Sequence, residues 1–364
     1  MSRLIFTSIV ALTAILGMAT SPSANAKGEV KQGVSKKSAE LLRKTADHNA
    51  VRDLTIQQKS REASLKALQS ALKVDRQALD VAMTKQPNYA SYKKALDGIL
   101  AVKPRDMKQA QSRSLAIAQL NKKYEPMFKK AWSDAGLSER SIVEKVAKCF
   151  HFKPCCRIKI GPFGIPLIDC SECQPVDEPA EELSFCAQPP YDTRATSNNS
   201  HLIAGTFEQS ASANSGNFRL KGLTLYGGLG TNRAVVGDYV TVPAGYTRLK
   251  VRAKIRMNHH LRAIGLLGGV GYAQADLRLE LTGTNGSSQS HNHMAGLAVA
   301  PLMWVNIVNG DDTYFIEKTF TIPSGGGEYL VRAGGTTMFG SLLIGGSRAE
   351  ETGNVEEICI EALP

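Results

Sequence analysis

The chain lacks the short motifs that announce common chemistries. It has no Gly-x-Ser-x-Gly elbow, P-loop, Gly-x-Gly-x-x-Gly fingerprint or His-Glu-x-x-His pair. No catalytic centre or nucleotide site is therefore legible, and no cofactor is expected. Beyond residue 26 no run is continuously apolar over the roughly 20 residues a membrane helix needs, so the mature chain is expected to have no transmembrane segment. No nucleic-acid motif frames the basic residues, and nucleic acid is not an expected partner. Aromatic residues make up only 6% of the 364, while glycine reaches 32. That mix suits a turn-rich β region joined to a polar helical one.

What is present begins with an export signal. Arg3 supplies a positive segment, Leu4 to Met18 an apolar stretch, Pro22 a break, and Ala24-Asn25-Ala26 a small-x-small cleavage form. Residues 1–26 read as a signal peptide cut before Lys27, with a periplasmic or extracellular destination. The first cysteine is Cys149, so no lipobox follows.

Charge divides the remainder. Residues 27–150 hold 26 basic and 13 acidic groups, residues 151–194 hold 4 and 7, and residues 195–364 hold 13 of each. The net +11 therefore belongs to a basic helical region over 27–148. Ser35 or Ser38 can cap a helix running to about Met83, in which Leu65, Leu68, Leu72 and Leu79 keep heptad spacing and Asp75 breaks the row. The same three-and-four series takes in Gln58 and Arg61. Pro87 and Pro104 bound a short helix, Pro126 should kink or divide a third, and Ser138 can cap a last one with Ile142, Val143 and Val146 inward. A helical hairpin or small bundle would bury these faces. An intermolecular coiled coil is the alternative, and with it a homo-oligomer, dimer or trimer.

Residues 149–194 form a proline-punctuated connector holding Cys149, Cys155, Cys156, Cys170, Cys173 and Cys186. Export favours disulfides over zinc, because only Cys170 and Cys173 have ligand spacing. The seventh cysteine, Cys359, either pairs with one of the six and pins the β region to the connector, leaving a different thiol, or stays unpaired or cross-links subunits.

From residue 195 to 364, short alternating runs are separated by turn signals at Asn214-Ser215-Gly216, Pro243-Ala244-Gly245, Gly283 to Ser290, Asn309-Gly310-Asp311 and Pro323 to Gly327. About ten strands without an intervening helix predict a β-sandwich, jelly-roll-like. The whole is thus an α+β multidomain chain. The Gly/Ala-rich runs Ile264 to Gly271 and Ala295 to Pro301 fit strands buried on both faces or an oligomer contact.

Two patterns are candidate sites. From Tyr246 to Met257, Arg248, Lys250, Arg252, Lys254 and Arg256 occupy every even position above an apolar row, placing five cations on one face of a strand. Acidic partners for them are expected from Asp276 and Glu280 or from Glu357 and Glu361. His291 and His293, two apart on a strand, could share a metal, with His259 and His260 contributing if a hairpin end lies nearby. The expected function is non-enzymatic binding or assembly, with an anionic glycan or envelope component as partner. A secreted hydrolase acting on a polysaccharide and a membrane-active, toxin-like protein are the alternatives.

Overall fold

The structure, a computed structural model, describes residues 30–102, 107–150, 157–160, 166–169, 184–202, 205–225, 227–265, 269–302, 305–342 and 345–364. The expected signal peptide, residues 1–26, and Cys155, Cys156, Cys170 and Cys173 lie outside the described residues.

Six helices come first: α1 (Lys36–Ala71), α2 (Lys73–Thr84), α3 (Tyr89–Ala101), α4 (Met107–Lys123), α5 (Glu125–Asp134) and α6 (Glu139–Phe150). Ser35 Oγ accepts the Ser38 N–H at 3.1 Å and Ser138 Oγ accepts that of Ser141 at 3.2 Å, so both expected caps form. The long first helix divides at Leu72. Pro126 falls in the first turn of α5, so the chain divides at Tyr124 where the proline would cost a ladder bond.

The strands are β1 (Lys31–Gln32), β2 (Arg157–Ile160), β3 (Pro166–Asp169), β4 (Phe185–Ala187), β5 (Thr193–Leu202), β6 (Gly205–Ala211), β7 (Asn217–Thr224), β8 (Gly228–Val242), β9 (Arg248–Gly265), β10 (Val270–Gly283), β11 (Ser288–Pro301), β12 (Val305–Thr321), β13 (Gly327–Leu342) and β14 (Gly345–Leu363). Apart from the β2–β3 hairpin, they build an antiparallel sandwich. One sheet runs β8–β13–β10–β11, with β1 and β5 sharing the free edge of β8. The other runs β12–β9–β14–β7–β6, with β4 beside β14 beyond the end of β7. Alternating residues of both sheets, such as Val251, Ala253 and Ile255 against Leu277, Leu279 and Val331, close the interior.

Several expected strands are longer than their sequence signals suggest. The alternating run that the sequence ends at Met257 continues as one strand, β9, to Gly265, and β13 runs unbroken from Gly327 to Leu342. The turn expected at Asn309-Gly310-Asp311 does not occur, because β12 passes straight through it. Gly310 is there for packing: any side chain on it would collide with the His259 ring. His259 and His260 accordingly lie mid-strand, not at a hairpin end. Elsewhere Gly245 and Gly286, with φ of 98° and 85°, sit in expected turns.

The first sheet is covered by α1, which packs across β5, β8, β13 and β10. Leu65, Leu68, Leu72 and Leu79 are all at most 2% exposed within the single chain. They share a core with Tyr272, Leu297, Val299 and Met338 of the sandwich, and Phe150 stacks on Tyr272 at 5.5 Å. The Ala295 to Pro301 run is buried on both faces, as its composition suggested. Polar residues in the helical pattern have matching partners. Gln58 donates to the Leu229 carbonyl at 3.1 Å, Arg61 lies over the Tyr272 ring, and Asp75 pairs with Lys145.

Cys359 pairs with Cys186, joining β14 to β4, while Cys149 keeps a free, half-buried thiol that burial pushes to a higher pKa. The bridge closes a sequence separation of 173 residues. Replacing both cysteines with serine is expected to cost about 2–4 kcal/mol of unfolding free energy. Denaturant titration of the variant beside the oxidised wild type checks this, and an unchanged midpoint would refute it.

Candidate functional site

The two faces of the sandwich differ in what covers them. The outer face of the β8–β13–β10–β11 sheet lies under α1. Among the described residues the opposite outer face is open over β12, β9 and β14, with α4 leaning on β6 and β7 at one side and β3 against the β11 and β12 strands.

On the open face the alternation of β9 places Leu249, Val251, Ala253, Ile255 and Met257 in the core at 0% exposure, and the five cations outside. Their carboxylate partners come from the neighbouring strands. Arg252 grips Glu317 of β12 through Nε at 2.9 Å and Nη2 at 2.7 Å, Lys250 reaches Glu317 at 3.5 Å, and Lys254 reaches Glu356 at 3.3 Å. Arg248 Nε donates to the Pro364 carbonyl at 3.1 Å, and Arg256 is exposed beside Thr313 and Asn354 in register. The middle of the row is thus stitched by cross-strand pairs, and its two ends are freer. Asp276 and Glu280, expected as partners from sequence, sit on the other sheet and cannot reach it; Glu361 lies in register with Lys250 and Glu357 with Lys254.

The row does not stop at Arg256. Because β9 continues to Gly265, Asn258, His260 and Arg262 extend it on the same face, and Arg348 of β14 stands directly opposite Arg262. Sequence reasoning missed this half by ending the strand at Met257. The unbroken even-position polarity from Arg248 to Arg262 was the signal that could have revealed it.

His291 and His293 are half-buried on β11, in register with the core residues Leu279 and Leu277. Among the described residues no third histidine, cysteine or carboxylate joins them at ligand spacing. The one such cluster is Cys186, Cys359 and Glu357, whose two sulfurs form the disulfide.

Beneath α1 the covered sheet carries a layer of buried charge. Arg233, Arg278 and Arg332 are at most 1% exposed. Glu280 accepts from Arg233 Nε at 2.6 Å and from Arg278 Nε, while α1 contributes Asp53 to Arg278 and Asp47 to Arg332. Burial alone would push the Glu280 carboxyl up, but the Arg233 and Arg278 guanidiniums outweigh it and hold it well below the usual carboxylate range. A cavity of about 310 Å³ opens beside this layer, lined by Asn49, Arg52, Asp53, Arg278, Glu280 and Ser290 among others. Its carboxylates are already committed: Asp53 accepts from Arg278 and from Ser290 Oγ at 3.0 Å, and Glu280 from two arginines.

Other shifted groups lie inside the sandwich. His259, 3% exposed, is held neutral by burial, its pKa pushed down to about 4. Burial raises the Glu351 carboxyl well above its ordinary value, and raises Asp238 to about 6.

No protein-family model and no curated protein matches the sequence. Among solved structures, slight similarities reach the enzymatically active domain of tailspike protein 4 of bacteriophage CBA120, at 8% identity and a TM-score of 0.20, covering 47% of this chain and 20% of that one. The module TmCBM61, solved with β-1,4-galactotriose, shows 9% identity and a TM-score of 0.17 over 47% of this chain and 88% of its own. The C-terminal family 22 carbohydrate-binding module of Clostridium thermocellum Xyn10B shows 10% and 0.15, over 49% and 98%. The chain thus spans about a fifth of the tailspike domain, and TM-scores of this size support no inference about what it does.

Proposed function

We propose that this is an exported, non-enzymatic binding protein whose open sheet holds an anionic glycan or envelope polymer. One observation carries the reading. The helical region closes one face of the sandwich with its own paired charges, while the other face presents Arg248 to Arg262 on β9, with Arg348 beside them, over an already complete apolar core. Cations that the core does not need, arrayed along a flat strand about 3.4 Å per residue, suit a polymer with repeated negative groups. His259, Glu351 and Asp238, whose ionisation burial shifts, lie in the interior instead of converging on an open cleft, which favours binding over acid–base catalysis.

The oxidised protein is expected to be retained on an immobilised anionic polysaccharide but not on neutral dextran, and to be released by moderate salt because the contacts are exposed. The double substitution Arg248→Gln with Arg256→Gln should weaken retention several-fold without loss of folding, as both side chains face solvent. Equal retention on neutral and anionic matrices, or the appearance of new reducing ends in the polysaccharide, would overturn the reading.

A further inference from the structure

We propose that Arg262 and Arg348 form a two-guanidinium clamp for sulfate- or phosphate-ester groups on the glycan. This deepens the reading of the open sheet as the ligand face, on which it rests, by naming the group selected.

The two residues face each other in the antiparallel register of β9 and β14. Side chains so placed start about 5 Å apart, and like charges in that position destabilise a sheet. Packing does not require them, since their neighbours Leu261 and Ala349 fill the core at 0% exposure. Compensation is also short. Glu350 is shared between Arg348 at 2.7 Å and Lys221 at 3.5 Å, with Glu208 in register with Lys221 on the far strand. Arg262 makes no ion pair among the described residues, and the Nε atoms of Arg262 and Arg348 are both shielded from solvent with no hydrogen-bond partner there. Burial, with the Arg348 charge added, pushes the Arg262 pKa down.

An oxyanion between the two side chains answers each of these features. It supplies the missing negative charge and accepts from two planar forks at once. A sulfate or phosphate ester has three terminal oxygens to share between the forks, whereas a carboxylate has two. A glycan is favoured over a lipid headgroup by the surroundings. Asn258, His260, Asn309 and Thr352 make the neighbouring face polar, and Ile307, in register with Arg262 on β12, is the one exposed large apolar side chain of the sandwich among the described residues. One such side chain is too small a patch to seat an acyl chain.

The test measures binding of the oxidised full chain to dextran sulfate, with polygalacturonate, neutral dextran and phosphatidylglycerol vesicles in parallel. R262Q and R348Q are each expected to weaken dextran sulfate binding about tenfold or more, the loss of one charge-assisted fork. R262K should restore little, because an ammonium lacks the fork. Binding to polygalacturonate should change far less. Thermal unfolding supplies a second readout. Sulfate should raise the wild-type midpoint more than chloride of equal ionic strength does, and that difference should vanish in R262Q. In chloride alone R262Q should unfold no earlier than wild type, confirming that it folds. If both variants bind dextran sulfate like wild type while the Arg248 and Arg256 substitutions weaken it, the clamp is wrong and the open-sheet reading stands. If wild type binds no polysaccharide, or only the vesicles, both are wrong.

Discussion

Glu280→Gln is expected to lower the unfolding free energy by roughly 3–5 kcal/mol, the cost of removing one partner from a buried ion cluster. Glu280 is the shared counterion of Arg233 and Arg278, which are 0% and 1% exposed at their side chains. Glutamine would leave Arg233 facing a neutral amide and Arg278 with Asp53 alone, whose side chain is 31% exposed. Urea denaturation at neutral pH measures the loss. A drop below about 1 kcal/mol would mean that water solvates the arginines and that the layer is not dry. Asp53→Asn should cost much less, because its charge is partly solvated and Glu280 remains. The ionised Glu280 is held by guanidiniums that do not titrate in this range. Its contribution is therefore full above the ordinary carboxylate pKa and is lost only as pH falls through the depressed folded value. With Asp47 and Asp53 the cluster seats α1 on the covered sheet, which leaves the opposite face as the one proposed to hold a polymer.

How much of this was legible in sequence depends on the kind of interaction. Period-two alternation placed the basic row and its apolar underside correctly, because side-chain direction in a strand is a local property. The caps at Ser35 and Ser138 and the division at Pro126 were legible for the same reason. Strand ends were less so. Gly310 carries a turn signal, yet its missing side chain accommodates the His259 ring from a strand about 50 positions earlier in sequence. Pairing was legible only in part: Glu357 and Glu361 do lie in register with Lys254 and Lys250, but sheet order sends Glu317 to Arg252 and keeps Asp276 and Glu280 under α1. The helix gave little sign of its resting place, because a polar contact layer of Asp47, Asp53, Gln58 and Arg61 looks in sequence like a solvated surface. The odd cysteine was legible as two branches, and the pairing of Cys359 with Cys186, leaving Cys149 free, selects the first.

Glu351→Met is expected to stabilise the protein at neutral pH, the opposite of the outcome at Glu280, and to do so more strongly as pH rises. Both glutamates are buried, but Glu351 of β14 points into the sandwich at 0% exposure, against Phe218 and Gly335, and neither oxygen has a hydrogen-bond partner among the described residues. Burial, with the Asp276 charge added, raises its carboxyl well above the ordinary value. The folded state therefore keeps a proton that the unfolded chain releases near pH 4.5. Stability is full below that value and falls by about 1.4 kcal/mol per pH unit above it, until the folded carboxyl ionises too. His259, directly across on β9, works in the other direction. Its pKa is depressed from 6.5 to about 4, so its neutral form contributes fully above pH 6.5 and loses roughly 3 kcal/mol as pH falls through that window. Taken alone, the two limbs place the wild-type optimum between about pH 4.5 and 6.5. Methionine at 351 removes the carboxyl limb and leaves the histidine limb, so the variant's optimum should move above pH 6.5, and between about pH 4.5 and 6.5 it should lose stability on acidification where the two limbs cancel in wild type. Denaturant midpoints across pH 4 to 8 for both proteins give the comparison. Parallel profiles would show that Glu351 is ionised and solvated in the folded state, and would remove the buried neutral acid from this account.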